Sequence, residues 1–154
     1  MDLNALSPYV RRAMYSELSG DFKIGQRIIF DYELIYLEQG SFLFTCDGIT
    51  YTVRKGDFVF IRPGHPHTLQ SLHGKSISQP HIHFDVCYDA YSDKVFISFK
   101  DRADLTSDEE KMIREDLFDI PPILRISDKE LFTARFYELI EIFEKKPPMY
   151  MLLC

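Results

Sequence analysis

Along most of this chain, short apolar runs alternate with turn residues, and after Phe99 the spacing of apolar positions lengthens to that of a helix. The runs at 27–37, 41–46, 50–54, 58–61, 68–72, 81–88 and 95–99 predict strands. They are separated at Gln39-Gly40, Asp47-Gly48, Lys55-Gly56, Pro63-Gly64, His73-Gly74 and Ser92-Asp93. Asp47-Gly48 is the strongest hairpin signal, because a two-residue primed turn needs positive φ at both positions. Six or seven short strands separated by such turns predict a mainly β fold, an antiparallel sandwich or barrel.

Residues 1–26 show no such period and are punctuated by Pro8, Gly20 and Gly25, which predicts an irregular N-terminal arm. Its Tyr9, Arg11, Arg12 and Tyr15 could reach a ligand, although an arginine pair near a loop more commonly meets solvent. Beyond the strands, Ser107 with Glu110 and Ser127 with Glu130 fit the capping-box spacing and predict two helix starts. The second helix should run over 128–146, with Leu131, Phe132, Phe136, Leu139, Ile140 and Phe143 on one stripe, widened by Tyr137 and Ile142. Such a stripe exceeds one seam against a barrel, so two-fold pairing through this helix is expected. Pro121-Pro122 forces an extended link between the helices, and Pro147-Pro148 stops the second. The apolar stretch 149–154 reads as the start of another buried element, so the chain is expected to be part of a longer protein. The expected organisation is an arm at 1–26, a β-barrel at 27–100 and a helical dimerisation segment at 101–154.

Composition narrows this. The chain has 154 residues, about one domain's worth, with 45% hydrophobic residues and a formal net charge of −6. The acid is concentrated after the strands, and no basic stripe appears, so DNA contact by these residues is not expected. Cys46, Cys87 and Cys154 form neither a disulfide framework nor a zinc knuckle. Without a secretory pattern or an apolar run of ~18 residues, the expectation is a cytoplasmic protein with no membrane segment.

Candidate chemistry lies in a few residues. His65 and His67 are two apart, as are His81 and His83, so each pair could share a strand face, with Asp85 joining the second pair. Such histidines could bind a metal, bond a ligand or simply be structural, and Pro66 disrupts the first pair's strand. Glu33 sits in an apolar run, where a carboxylate needs a partner: a polar ligand, Arg27 or Arg62. No nucleophile elbow, phosphate loop or dinucleotide fingerprint appears; no catalytic residue is assigned and no enzyme or cofactor is expected.

The stretch from Gly56 to His67 resembles the second motif of the cupins: Gly56, Gly64 and His67 fall in its places, while Arg62 stands where that motif has proline. Glu33 and Gly40 resemble the end of the first motif, but Arg27-Ile28-Ile29-Phe30 replaces its paired histidines. Asp31 to Tyr36, the Gly56-Asp57 turn, His83-Phe84, Ile120-Pro121-Pro122 and the 127–144 helix together look like the regulatory N-terminal domain of AraC-type transcription regulators, over roughly residues 8–150. The resemblance implies a cupin-like jelly-roll barrel with a C-terminal two-helix segment that senses a small effector, a sugar foremost, and forms a homodimer. DNA would be met only through a domain outside this chain. Arg12, Arg27, Glu33, Tyr36, His67 and His83 are the expected ligand-binding residues, and Leu131, Phe132, Phe136, Leu139, Ile140 and Phe143 the dimer contacts. The rival readings are a small metal-dependent cupin enzyme, a dioxygenase or sugar isomerase using Glu33, His67, His81 and His83, and a stand-alone sugar-binding module.

Overall fold

Alternation along the central strands sends odd and even residues to opposite faces, and both faces are buried. The computed structural model describes residues 6–154. One antiparallel sheet, ordered β1-β10-β4-β7-β11, is built from β1 (Tyr9–Met14), β4 (Tyr32–Tyr36), β7 (Phe58–Ile61), β10 (His81–Asp85) and β11 (Ile123–Leu124). A second, ordered β3-β8-β5-β6, is built from β3 (Lys23–Arg27), β5 (Ser41–Cys46), β6 (Ile49–Arg54) and β8 (His67–Ser71). β2 (Glu17–Leu18) and β9 (Ile77–Ser78) form a separate two-stranded ribbon. This is the expected mainly β jelly roll, with its sheets hydrogen-bonded separately rather than closed into one barrel.

The apolar core between the sheets contains Ile35, Leu37, Phe42, Phe44, Val59, Ile61 and Leu69. On the outer face of the five-stranded sheet, Tyr32, Leu34, Phe58, Phe60 and Ile82 meet Phe136 and Ile140 of α2 (Lys129–Lys145). This is why β4 and β7 read as continuous apolar runs: helix and linker cover the face that an exposed sheet would keep polar. Asp47 (φ 50) and Gly48 (φ 78) both have positive φ, as the hairpin signal requires.

Several expectations change. Residues 9–26, expected to be irregular, supply β1, β2 and all of β3 but Arg27, and the strand expected at 27–37 is confined to Tyr32–Tyr36; residues 1–5 of the expected arm lie outside the described residues. The alternation there is broken by two β-bulges, which hides a strand from period counting. Residues 95–99 form no strand: Val95 packs with Ile28 and Phe30, while Ile97 and Phe99 line a cavity. The first helix, α1 (Ser107–Glu110), is a single turn, and its capping box is Thr106 with Glu109, one residue earlier than expected. Asp128, rather than Ser127, caps α2, its Oδ1 accepting from the Leu131 amide at 3.0 Å.

Candidate functional site

Parity decides what faces inward. Even residues of β4 and β10 point toward α2, leaving Glu33, His81, His83 and Asp85, with the preceding Asp31, on the side between the sheets. Glu33 and His83 are register partners, and Glu33 Oε1 lies 3.5 Å from His83 Nε2. The other ring nitrogen, Nδ1, lies 3.1 Å from Asp31 Oδ1. Beside this group is a cavity of about 230 Å³, lined on its polar side by Arg12, Ser16, Arg27, Glu33, Gln79, His81 and His83. Met14, Leu18, Ile24, Ile35, Leu69, Ile97 and Phe99 complete the wall.

Both arginines reach it because of bulges. In β1, Val10 pairs with Phe84 but Arg12 with His83, so Arg11 is an extra residue and the inward set shifts by one. In β3, Ile24 pairs with Leu69 and Arg27 with His67, three residues against two, which brings Arg27 to the face of Ile24. Arg27 Nε donates to His67 Nε2 at 3.2 Å, while His67 Nδ1 lies 3.0 Å from the His65 carbonyl. Donation from Nδ1–H to that carbonyl leaves Nε2 as the acceptor Arg27 needs. The Arg27 guanidinium also lies over the Phe99 ring, 5.1 Å from its centroid.

Charge sorts these groups. Burial pushes the Glu33 carboxyl up, but His83, His81, Arg27 and His67 outweigh it and leave it below its ordinary value. Burial pulls His83 down, yet Glu33 and Asp31 overcome this and hold its proton on. His67 and His81 are lowered by burial and stay neutral at physiological pH. Burial raises the Asp31 carboxyl. Behind His83, Arg11 Nε lies 3.3 Å from Asp31 Oδ2 and its Nη2 bonds Asp85; Arg114 Nε reaches the same Asp85 carboxylate at 3.1 Å. A chain of buried charges therefore runs from the cavity to the segment after the strands.

Of the six expected ligand-binding residues, Arg12, Arg27, Glu33 and His83 line one cavity. His67 stands behind Arg27. Tyr36 does not join them: its even position on β4 turns it outward, where it stacks on Phe58 at 4.6 Å and meets Phe136. Arg62 is not the partner of Glu33 either; it pairs with Asp116 at 3.1 Å. Asp85 shares the inward face but is engaged by arginines. Arg11, taken for solvated, has a side chain only 7% exposed. Sequence reading missed Asp31, Gln79 and Arg114. Asp31, two residues before Glu33, could have been found by parity; Gln79 and Arg114 lie in loops, where no period applies. The six stripe residues of α2 are mostly spent on the sheet: Phe136 and Ile140 are buried, Phe132, Leu139 and Phe143 are partly covered, and Leu131 is exposed.

Glu33, His81 and His83 bring ligating atoms within 4.8 Å of one another. The setting does not suit a dication: both nitrogens of His83 already face carboxylates that keep it protonated, and Arg12 and Arg27 line the same cavity. His67, the fourth residue of the metal alternative, is occupied by Arg27. Cys46, Asp47 and His65 form a second such group, at the hairpin end. There His65 bridges Asp47 (2.6 Å) and Asp116 (3.0 Å), and burial pushes the Cys46 thiol up to about 11.

Residues 21–93 match the family model of the AraC-like ligand binding domain. Among solved structures, the chain is similar to a predicted oxalate decarboxylase of Thermotoga maritima, 17% identical, over 49% of this chain and 66% of that one, with a TM-score of 0.45. It is similar also to YhaK of Escherichia coli, 16% identical over 56% and 41% of the respective chains, TM-score 0.47. The cupin domain of Schizosaccharomyces pombe Cnp3 is 12% identical over 58% and 67%, TM-score 0.46. No curated protein matches the chain.

Proposed function

From the AraC-like ligand-binding domain at residues 21–93, we propose that this chain senses a small polyhydroxylated effector, a monosaccharide foremost, for an AraC-type transcription regulator whose DNA-binding part lies outside these 154 residues. One observation carries the ligand class. Among the described residues, Glu33 Oε2 and Gln79 Oε1 are buried without a hydrogen-bond partner, and both residues line the cavity. A buried acceptor without a donor costs about 1–3 kcal/mol, which ligand hydroxyls would recover. The facing Ile35, Leu69 and Phe99 suit the apolar side of a sugar ring.

Signal transfer follows the buried charges. A ligand that hydrogen-bonds Glu33 weakens its hold on His83, and the change passes through Asp31, Arg11 and Asp85 to Arg114, whose amide donates to the Phe30 carbonyl at 2.7 Å. The segment that follows leads to α2. Such a switch works only if the ligand binds the two arrangements with different affinity. Pairing of two copies through α2 belongs to the same reading, supported by Leu131 and the partly covered Phe132, Leu139 and Phe143.

Differential scanning fluorimetry against mono- and disaccharides, followed by calorimetry, tests this reading. A monosaccharide should raise the melting temperature of the natural chain and not that of Glu33→Gln. If no carbohydrate binds, the effector class is wrong. Elemental analysis addresses the enzyme alternative: stoichiometric Fe, Mn, Ni or Zn, lost in His81→Ala, would favour it.

A further inference from the structure

The charges around the cavity do not balance, and the imbalance narrows the effector further; this step rests on the sensing role proposed above. Arg11 and Arg114 meet Asp31, Asp85 and the half-exposed Asp89, and protonated His83 lies between Glu33 and Asp31, so these cations are already paired. Arg12 and Arg27 make no ion pair among the described residues. Arg27 is held without an ion pair: His67 takes its Nε, its guanidinium lies over the Phe99 ring, and its two Nη groups make no hydrogen bond among the described residues. A guanidinium fixed in this way presents two parallel donors, the geometry that fits a carboxylate rather than a hydroxyl. Arg12, on the opposite sheet, is exposed and lines the same cavity. Each arginine follows a β-bulge, so two independent irregularities bring a cation to one site.

We propose that the effector is a polyhydroxy acid of monosaccharide size, such as a uronate or aldonate. Its carboxylate is taken by Arg27 with Arg12 alongside, and its hydroxyls donate to Glu33 Oε2 and Gln79 Oε1. His67 is a positioning residue for Arg27. A cavity of about 230 Å³ has room for one such molecule. A plain carboxylate would satisfy the arginines and leave Glu33 and Gln79 unanswered; a neutral hexose would do the reverse.

Calorimetry on the whole chain compares hexuronates and aldonates with their parent hexoses, with hexose phosphates, and with acetate and succinate. The acids should bind at least about tenfold more tightly than the parent hexoses, as a charge-assisted pair implies, and more tightly than the phosphates or simple carboxylates. Arg27→Gln should remove that preference, and Arg12→Gln, at an exposed position, should reduce it without unfolding the chain. His67→Gln should lower affinity for the acids and leave that for neutral hexoses unchanged. Neutral hexoses binding as tightly as the acids, or a preference that survives both arginine variants, overturns the inference. If in that case Gln79→Ala, with its folding checked by circular dichroism, still weakens hexose binding, sensing of a neutral sugar stands. Tighter binding of the phosphates overturns the carboxylate assignment, and silence from every compound overturns both readings.

Discussion

Glu33 and His83 sit opposite each other on β4 and β10, 3.5 Å apart, and each fixes the other's protonation state. The carboxylate stays ionised at a buried position because the imidazole is charged, and the imidazole stays charged because Glu33 and Asp31 flank it. Ligand recognition and fold stability therefore draw on the same pair.

Glu33→Gln should unsettle the fold as well as the site. Removing Glu33 leaves His83 with Asp31 as its one acidic neighbour, at a cost of about 2 kcal/mol, below the ~3–5 kcal/mol of a fully stranded buried charge. Chemical denaturation should show a midpoint well below that of the natural chain, and His83 should titrate at lower pH by NMR. A variant as stable as the natural chain would show that the pair contributes little.

The histidines set the pH dependence. His83 is raised above the ordinary 6.5, so its stabilisation is complete below 6.5 and fades as pH rises through the folded-state value. His67 and His81 are lowered, so their contribution is present above 6.5 and lost as pH falls through their folded-state values. Stability should decline on both flanks, and His83→Gln should flatten only the alkaline one. Denaturation midpoints across pH measure this; an unchanged alkaline limb in the variant would remove His83 from the account.

Two glycines with positive φ should respond differently to alanine. At Gly40 (φ +91) a Cβ would lie 2.8 Å from Ile77 Cγ2 and from the Ser76 carbonyl, whereas at Gly48 (φ +78) nothing lies within 4 Å. Gly48→Ala should cost only the left-handed strain, about 1–2 kcal/mol. Gly40→Ala adds a clash of about 1–3 kcal/mol, and urea midpoints should rank them in that order.

His65 ties the segment after the strands to the β5–β6 hairpin through Asp47 and Asp116. These groups are partly exposed, so His65→Ala should lower stability by only about 1 kcal/mol. Hydrogen exchange should quicken across 114–119 while β4 and β7 stay protected. Uniform quickening would mean that the tie is not local.

On α2, Phe136 is 4% exposed and Leu131 54%. Phe136→Ala should cost about 3–5 kcal/mol; Leu131→Ala should leave the fold unchanged. Sedimentation of Leu131→Glu tests pairing through the helix: a dimer that persists in the variant excludes Leu131 from the contact.

Strands without a bulge that are bounded by clear turn residues are legible residue for residue. Ser41–Cys46 and Phe58–Ile61 end where their turns predict, and Asp47-Gly48 adopts the conformation its composition requires. Counting by two puts His81 and His83 on one face, while the register with β4 is what turns that face toward Glu33 and the cavity. Tyr36, expected beside Glu33, falls on the opposite face of β4 by the same count and pairs with Phe58.

Other features are absent from any local pattern. The β-bulges at Arg11 and ahead of Arg27 depend on partners across the sheet, since an extra residue exists only relative to a neighbouring strand. The pairing of Arg11 with Asp31 and Asp85 spans up to 74 positions, and Gln79 and Arg114 come from loops. The sequence by itself determined the mainly β class, the hairpin and that His81 and His83 share a face, because those follow from dihedral preference and a period of two. Tertiary structure alone decided which cations face Glu33, which remain unpaired and how much of α2 is covered. Those are relations between distant segments, fixed only when the two sheets and the helix close on one another.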